Sequence, residues 1–119
     1  MQLLFAGSEE VPDAQGFTIL PGNVRRFQHE VQKVPHMGWN TVTVNTDCPV
    51  FADQPPETFF YFCHSYYCAP SDETVIAGTT TYGIPFAASV WQGTMFGVQF
   101  HPEKSQKAGL RVLEKFVRL

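Results

Sequence analysis

The sequence predicts an α/β chain, with about five strands set between two terminal helices. Three observations carry this reading. Aromatic and β-branched residues gather in short runs between Val34 and Phe100, the composition of strands. Those runs do not alternate with helical patterns, so the sheet is mixed rather than a regular strand–helix repeat. After Ser105 the apolar residues fall at helical spacing instead.

Taken in order, Met1 to about Glu10 reads as a short amphipathic helix. Leu3, Leu4 and Phe5 form its apolar side and Ser8-Glu9-Glu10 its polar end. No Ser, Thr, Asp or Asn precedes the apolar residues, so this helix starts without a cap. "LPGNVRRF" (Leu20 to Phe27) is a turn and a short segment whose basic pair, Arg25-Arg26, reads as a solvated edge. "VPHMGWNTVTV" (Val34 to Val44) ends in alternating Val42 and Val44, a half-buried strand. "FFYFCHSYY" (Phe59 to Tyr67) is rich in aromatics and reads as a buried central strand running into a loop. "TVIAGTT" and "FAASVWQGTMFGVQF" supply three more strands, the last two a hairpin around Gln92-Gly93. From Ser105, a candidate N-cap, Leu110, Leu113, Phe116 and Val117 mark a helix.

At 119 residues the chain is at most one small domain and buries about 65% of its unfolded surface. With 44% hydrophobic and 16% charged residues, it has enough apolar material to fold. A net charge of −3 gives no footprint for nucleic acid or for an anionic membrane. No apolar run approaches a membrane span, and "MQLLFAGSEE" lacks the basic start of a signal peptide. Cys48, Cys63 and Cys68 are odd in number and carry no scaffold spacing, which favours a reduced, cytoplasmic chain.

The chemistry sits in "FGVQFHPEKS" (Phe96 to Ser105). In an extended segment, residues i and i+2 share a face. Pro102 fixes its own φ and keeps His101 out of the helical region. His101 and Glu103 are therefore held on one side at a strand end, where a carboxylate can fix the imidazole tautomer and steady its protonated form. A solvated polar loop is the alternative reading. Nucleophiles within the chain do not fit. Ser65 adjoins His64, but neighbours on a strand face opposite ways. The same geometry excludes Cys63 and His64 as joint metal ligands, and Cys63 with Cys68 lacks a zinc spacing. Cys63 reads as a buried structural residue and Cys48 as a turn residue. His29 and His36 read as surface or satisfied polar groups.

Together, "VPHMGWN" (Val34 to Asn40), "FYFCHSYY" (Phe60 to Tyr67) and "GVQFHPEKSQKAGLRVLEKF" (Gly97 to Phe116) closely resemble the glutaminase subunits of imidazole glycerol phosphate synthases, within the class I glutamine amidotransferases. The terminal "FHPE" alone resembles only the wider class; the first two motifs point to the histidine-biosynthetic branch. The resemblance implies the C-terminal part of a flavodoxin-like α/β fold over residues 1–119. It also implies a Cys–His–Glu triad whose cysteine opens a Cys-Leu-Gly-Met-Gln elbow. "MQLLF" looks like the tail of that elbow, so the elbow and the Gly-rich oxyanion loop are expected upstream of Met1. With the strands before the elbow absent, a sheet edge would be uncovered and solubility poor.

Carried over by the same resemblance, His101 matches the general base and Glu103 its orienter, while Gln2, Ser65 and Tyr66 match residues that hold the substrate L-glutamine. Trp39 and Tyr61 match aromatics at the contact with the cyclase partner, a (β/α)8 barrel that receives ammonia; a core role is the alternative for Trp39. Cys63 stands where the family commonly has a small aliphatic residue. No metal or organic cofactor is implied. Three other readings stay open at this point: a non-catalytic homologue that binds the cyclase or glutamine, another class I amidotransferase, and a metal-binding protein, the last disfavoured by geometry.

Overall fold

A computed structural model describes all residues from Met1 to Leu119. Two of its long strands show why this end of the sheet has one dry face. In β3 (His36–Val44), His36, Val42 and Val44 are buried while Met37, Trp39 and Thr43 are exposed. In β4 (Glu57–His64), Thr58, Phe60, Phe62 and His64 are buried while Glu57, Phe59 and Cys63 are exposed. The two strands pair antiparallel, with His36 opposite His64 and Trp39 opposite Tyr61, so both inner faces point to the same core.

The other strands are β1 (Gly7–Ser8), β2 (Gly22–Arg26), β5 (Tyr66–Pro70), β6 (Ile76–Tyr82), β7 (Ile84–Gln92) and β8 (Met95–Val98). They join one eight-stranded sheet in the order β1-β2-β5-β7-β6-β3-β4, with β8 also on β7. Only β1 and β2 run parallel. The β7–β8 hairpin closes with Gln92 opposite Met95. Gly93 supplies the φ of +58° that its two-residue turn requires.

Inside, Phe27, Val42, Phe51, Phe60, Phe62, Phe86, Phe100 and Val112 belong to the larger of two buried clusters. Phe60 and Phe100 stack with ring centroids 3.9 Å apart, which fixes the residue just before His101. A smaller cluster gathers Phe5, Leu20, Val24, Cys68, Val75 and Val90. The single α-helix, α1 (Gln106–Val117), closes the chain.

Several expectations need correction. Residues 1–10 are not an α-helix: a 3-10 turn at Gln2–Leu4 leads to β1. The Leu3 and Leu4 carbonyls bond instead to the amides of Phe17, Ile19 and Leu20, so long-range partners replace helical ones. The aromatic strand β4 lies at one end of the sheet order, not at its centre, and it leads through Ser65 into β5 rather than a loop. The helix after Ser105 is present, but its apolar stripe is turned outward. Leu110, Leu113, Phe116 and Val117 are exposed, and Gly109 and Val112 are buried. A small-residue face allows α1 to sit close against the turn at Pro102–Lys104, where a Cβ on Gly109 would collide with the Pro102 carbonyl.

Candidate active site

His101 ends the segment that follows β8, and four backbone and side-chain bonds lock it there. Its N–H donates to the Tyr61 carbonyl at 2.9 Å. Its own carbonyl accepts from the Lys104 N–H at 3.1 Å and from the Ser105 hydroxyl at 2.6 Å. The Ser105 Oγ also accepts the Tyr61 N–H at 3.0 Å. Ser105 thus occupies the N-cap position of α1 without a side-chain capping bond, because its hydroxyl ties β4 to the backbone of His101.

The fourth bond joins two side chains. His101 Nδ1 lies 2.8 Å from Glu103 Oε1. A carboxylate accepts only, so Nδ1 carries the proton and Nε2 keeps a lone pair. Glu103 is held below the usual carboxylate range, first by its own backbone N–H and then by His101. The carboxylate therefore stays charged at neutral pH. Side-chain exposures of 38% for His101 and 59% for Glu103 leave the pair open to a reactant.

Ser105 is 1% exposed, so Ser105→Ala leaves the part-buried Tyr61 amide without its acceptor. A loss of about 1–3 kcal/mol is expected, read as a lower urea midpoint with an unchanged m-value.

The predicted substrate residues converge partly. Gln2 Nε2 donates to the Tyr66 carbonyl and to Gln99 Oε1, each at 3.2 Å. Gln99 stands two residues before His101, so Gln2 bridges the Tyr66 segment and the His101 segment. Ser65 is partly exposed between β4 and β5, and its carbonyl accepts the Phe27 N–H at 3.1 Å. Gln99 was not among the residues the sequence singled out. The period of two that relates it to His101 was the available signal.

Trp39 and Tyr61 lie on the outward face of the β3–β4 ladder, with ring centroids 6.1 Å apart and edge to face, and the Tyr61 ring centroid is 6.5 Å from that of His101. Trp39 is 47% exposed, so it is not a core residue. Met37, Phe59 and Cys63 share that outward face, and Lys104 Nζ lies 5.9 Å from the Tyr61 ring centroid. Cys63 is therefore exposed, contrary to the buried role expected of it, because alternate residues of an edge strand face opposite ways. Cys48 and Cys68 are the buried cysteines. Burial pushes both thiols up, Cys68 to about 12, which makes them poor nucleophiles. None of the three bonds to His101.

His36 and His64, unlike His101, are buried. Their rings meet at 2.9 Å, His36 Nδ1 to His64 Nε2. Burial and then the neighbouring His64 push His36 down to about 4, and burial lowers His64 as well. The unfolded chain takes up these protons near the ordinary value of about 6.5, whereas the folded chain refuses them until lower pH. Stability is therefore full above that value and declines as pH falls toward about 4. Thermal melts at constant ionic strength should show this decline, and His36→Phe should flatten it.

No group of three or more His, Cys, Asp or Glu side chains is placed to hold a metal ion, and no helix is long and apolar enough to cross a membrane.

The sequence profile described as glutamine amidotransferase class-I matches residues 1–119, the whole chain. The chain belongs to this family. Among its relatives, the imidazole glycerol phosphate synthase subunit HisH of Moorella thermoacetica is 50% identical over 119 residues, covering 100% of this chain and 56% of the relative. The subunit of the same name from Methanocaldococcus jannaschii is 47% identical, covering 100% and 60%. This amidotransferase chain thus spans little more than half the length of the curated relatives it matches. The crystal structure of a protein described as a candidate GMP synthase subunit, from Thermoplasma acidophilum, superposes with a TM-score of 0.64 at 19% identity, over 82% of this chain and 47% of the other. That likeness supports the class I amidotransferase fold.

Proposed function

We propose that this chain supplies the general-base half of a glutaminase that hydrolyses L-glutamine to glutamate and ammonia. The observation that carries the reading is the 2.8 Å bond from His101 Nδ1 to Glu103 Oε1, which leaves Nε2 as the free base. Gln2, Ser65 and Tyr66 hold the substrate, and the nucleophile is a cysteine upstream of these residues. His101 Nε2 takes the thiol proton as sulfur attacks the side-chain amide carbon. It then gives that proton to the departing nitrogen as the C–N bond breaks, which releases ammonia and leaves a thioester. Water, deprotonated by the same imidazole, releases glutamate.

The relatives are named as subunits of imidazole glycerol phosphate synthase, which supports a partner subunit. On our reading that partner is a cyclase of (β/α)8-barrel form in a cytoplasmic heterodimer, consuming the ammonia in a lyase step of histidine biosynthesis. The face of Met37, Trp39, Phe59 and Tyr61 fits such a partner, since apolar and aromatic clusters anchor interfaces. Trp39→Ala is expected to weaken cyclase binding by at least about 10-fold, measured by calorimetry. The reaction itself is tested by joining the chain to an upstream segment ending in Cys-Leu-Gly and adding the cyclase. Glutamine-dependent ammonia release is expected; an inert but folded complex overturns the proposal.

A further inference from the structure

Every ring nitrogen of the buried pair His36 and His64 has a partner, and the partners fix the direction of each bond. The Tyr66 carbonyl lies 2.7 Å from His64 Nδ1. A carbonyl only accepts, so His64 Nδ1 carries a proton and Nε2 does not. His64 Nε2 must then accept, and His36 Nδ1–H donates to it at 2.9 Å. This leaves His36 Nε2 as an acceptor, and Asn40 Nδ2 lies 3.2 Å from it. The Asn40 amide cannot reverse without loss. Its Nδ2 also donates to the Thr81 carbonyl at 2.9 Å, and its Oδ1 accepts the Thr41 N–H at 2.8 Å.

Both ends of the series are thus pinned by backbone groups of known sense, and both imidazoles are neutral within it. Ring packing adds stiffness. His36 stacks on Tyr82 and Phe62, with centroids 4.0 and 4.7 Å away, and Phe27 packs against both imidazoles. The far end matters most, because the Tyr66 carbonyl that takes the His64 proton also takes the amide of Gln2. One carbonyl is clamped from two sides, by a residue read as substrate-holding and by the histidine series.

We propose that Asn40, His36 and His64 form a directed hydrogen-bond relay that sets the Tyr66 carbonyl, making the two histidines positioning residues for the glutamine-holding segment Ser65-Tyr66. The inference rests on the proposed glutaminase reading for its substrate. The lowered proton affinity of His36 is consistent with a relay that works only while both rings are neutral.

The test uses the glutaminase-competent protein, this chain joined to an upstream segment ending in Cys-Leu-Gly, in complex with the cyclase. His64→Phe keeps a ring in the core but removes the donor to Tyr66. It should raise KM for glutamine about 10-fold, the equivalent of one lost hydrogen bond, with kcat changed less than about twofold. His64→Asn places an amide N–H near the former Nδ1 and should restore KM to within about threefold. An unchanged KM in the Phe variant overturns the proposal, as does an Asn variant no better than Phe. Should the variants fail to fold, 15N NMR of the unsubstituted protein decides: Nδ1–H tautomers at both His36 and His64 are expected, and an Nε2–H tautomer at either overturns the relay. An unsubstituted protein with those tautomers but no glutamine turnover would sink the glutaminase reading and not the relay.

Discussion

In the same reconstituted complex, His101→Ala should lower glutaminase kcat by about 10³- to 10⁶-fold, the range for removing a general base that serves a covalent nucleophile. KM for glutamine should change far less, because in the proposed mechanism the imidazole moves protons in the chemical steps and does not hold the substrate in its ground state. Glu103→Gln should cost less than His101→Ala. An amide can still hold the ring, but it no longer supplies the negative charge that steadies the imidazolium. It can also present an N–H to Nδ1 and so favour the wrong tautomer. Because Glu103 is held below the usual carboxylate range, its protonation should not set the acid limb of kcat/KM. A Glu103→Gln enzyme as fast as the unsubstituted one would leave the 2.8 Å contact without a catalytic role.

The half of the site that could be read from sequence is the half built by neighbours. His101 and Glu103 are two residues apart, and the proline between them restricts the backbone enough to place both on one side. The relay is different in kind. His36 and His64 lie 28 positions apart, and only the register of β3 against β4 makes them partners. Nothing local to either residue encodes that register. The fold divides along the same line. Val42 and Val44 mark β3 through their own alternation, and Gly93 marks the hairpin. In Phe59 to Phe62, four aromatics in a row hide an alternation that the structure resolves into two inward and two outward rings. β2 has one buried apolar residue, Val24, and β1 has only two residues. Both are strands because of what they pair with, so a scan for apolar patterning passes over them. At the start of the chain, Leu3, Leu4 and Phe5 carry the local pattern of a helix, but the Leu3 and Leu4 carbonyls reach across to the amides of Phe17, Ile19 and Leu20.

Gly109→Ala should be the most destabilising conservative change near the site. Alanine is ordinarily favoured over glycine inside a helix by about 1 kcal/mol, so helix propensity alone predicts a gain. Here a Cβ on residue 109 would stand 1.8 Å from the Pro102 carbonyl oxygen and 2.7 Å from its carbonyl carbon. Both are backbone atoms, and no rotamer change can move them aside. Either α1 lifts off the turn at Pro102–Lys104 or that turn shifts. Lifting the helix exposes Val112 and breaks its packing on the core; shifting the turn displaces the residue that separates His101 from Glu103. A net loss of about 3 kcal/mol is expected, seen as a lower urea midpoint. Leu110→Ala, one position along on the outward stripe of the same helix, is the internal control and should cost well under 1 kcal/mol in the isolated chain. Gly109→Ala as stable as the unsubstituted chain would mean that α1 does not sit against Pro102. The turn would then lose its backing, and with it the reason that His101 and Glu103 are held at bonding distance.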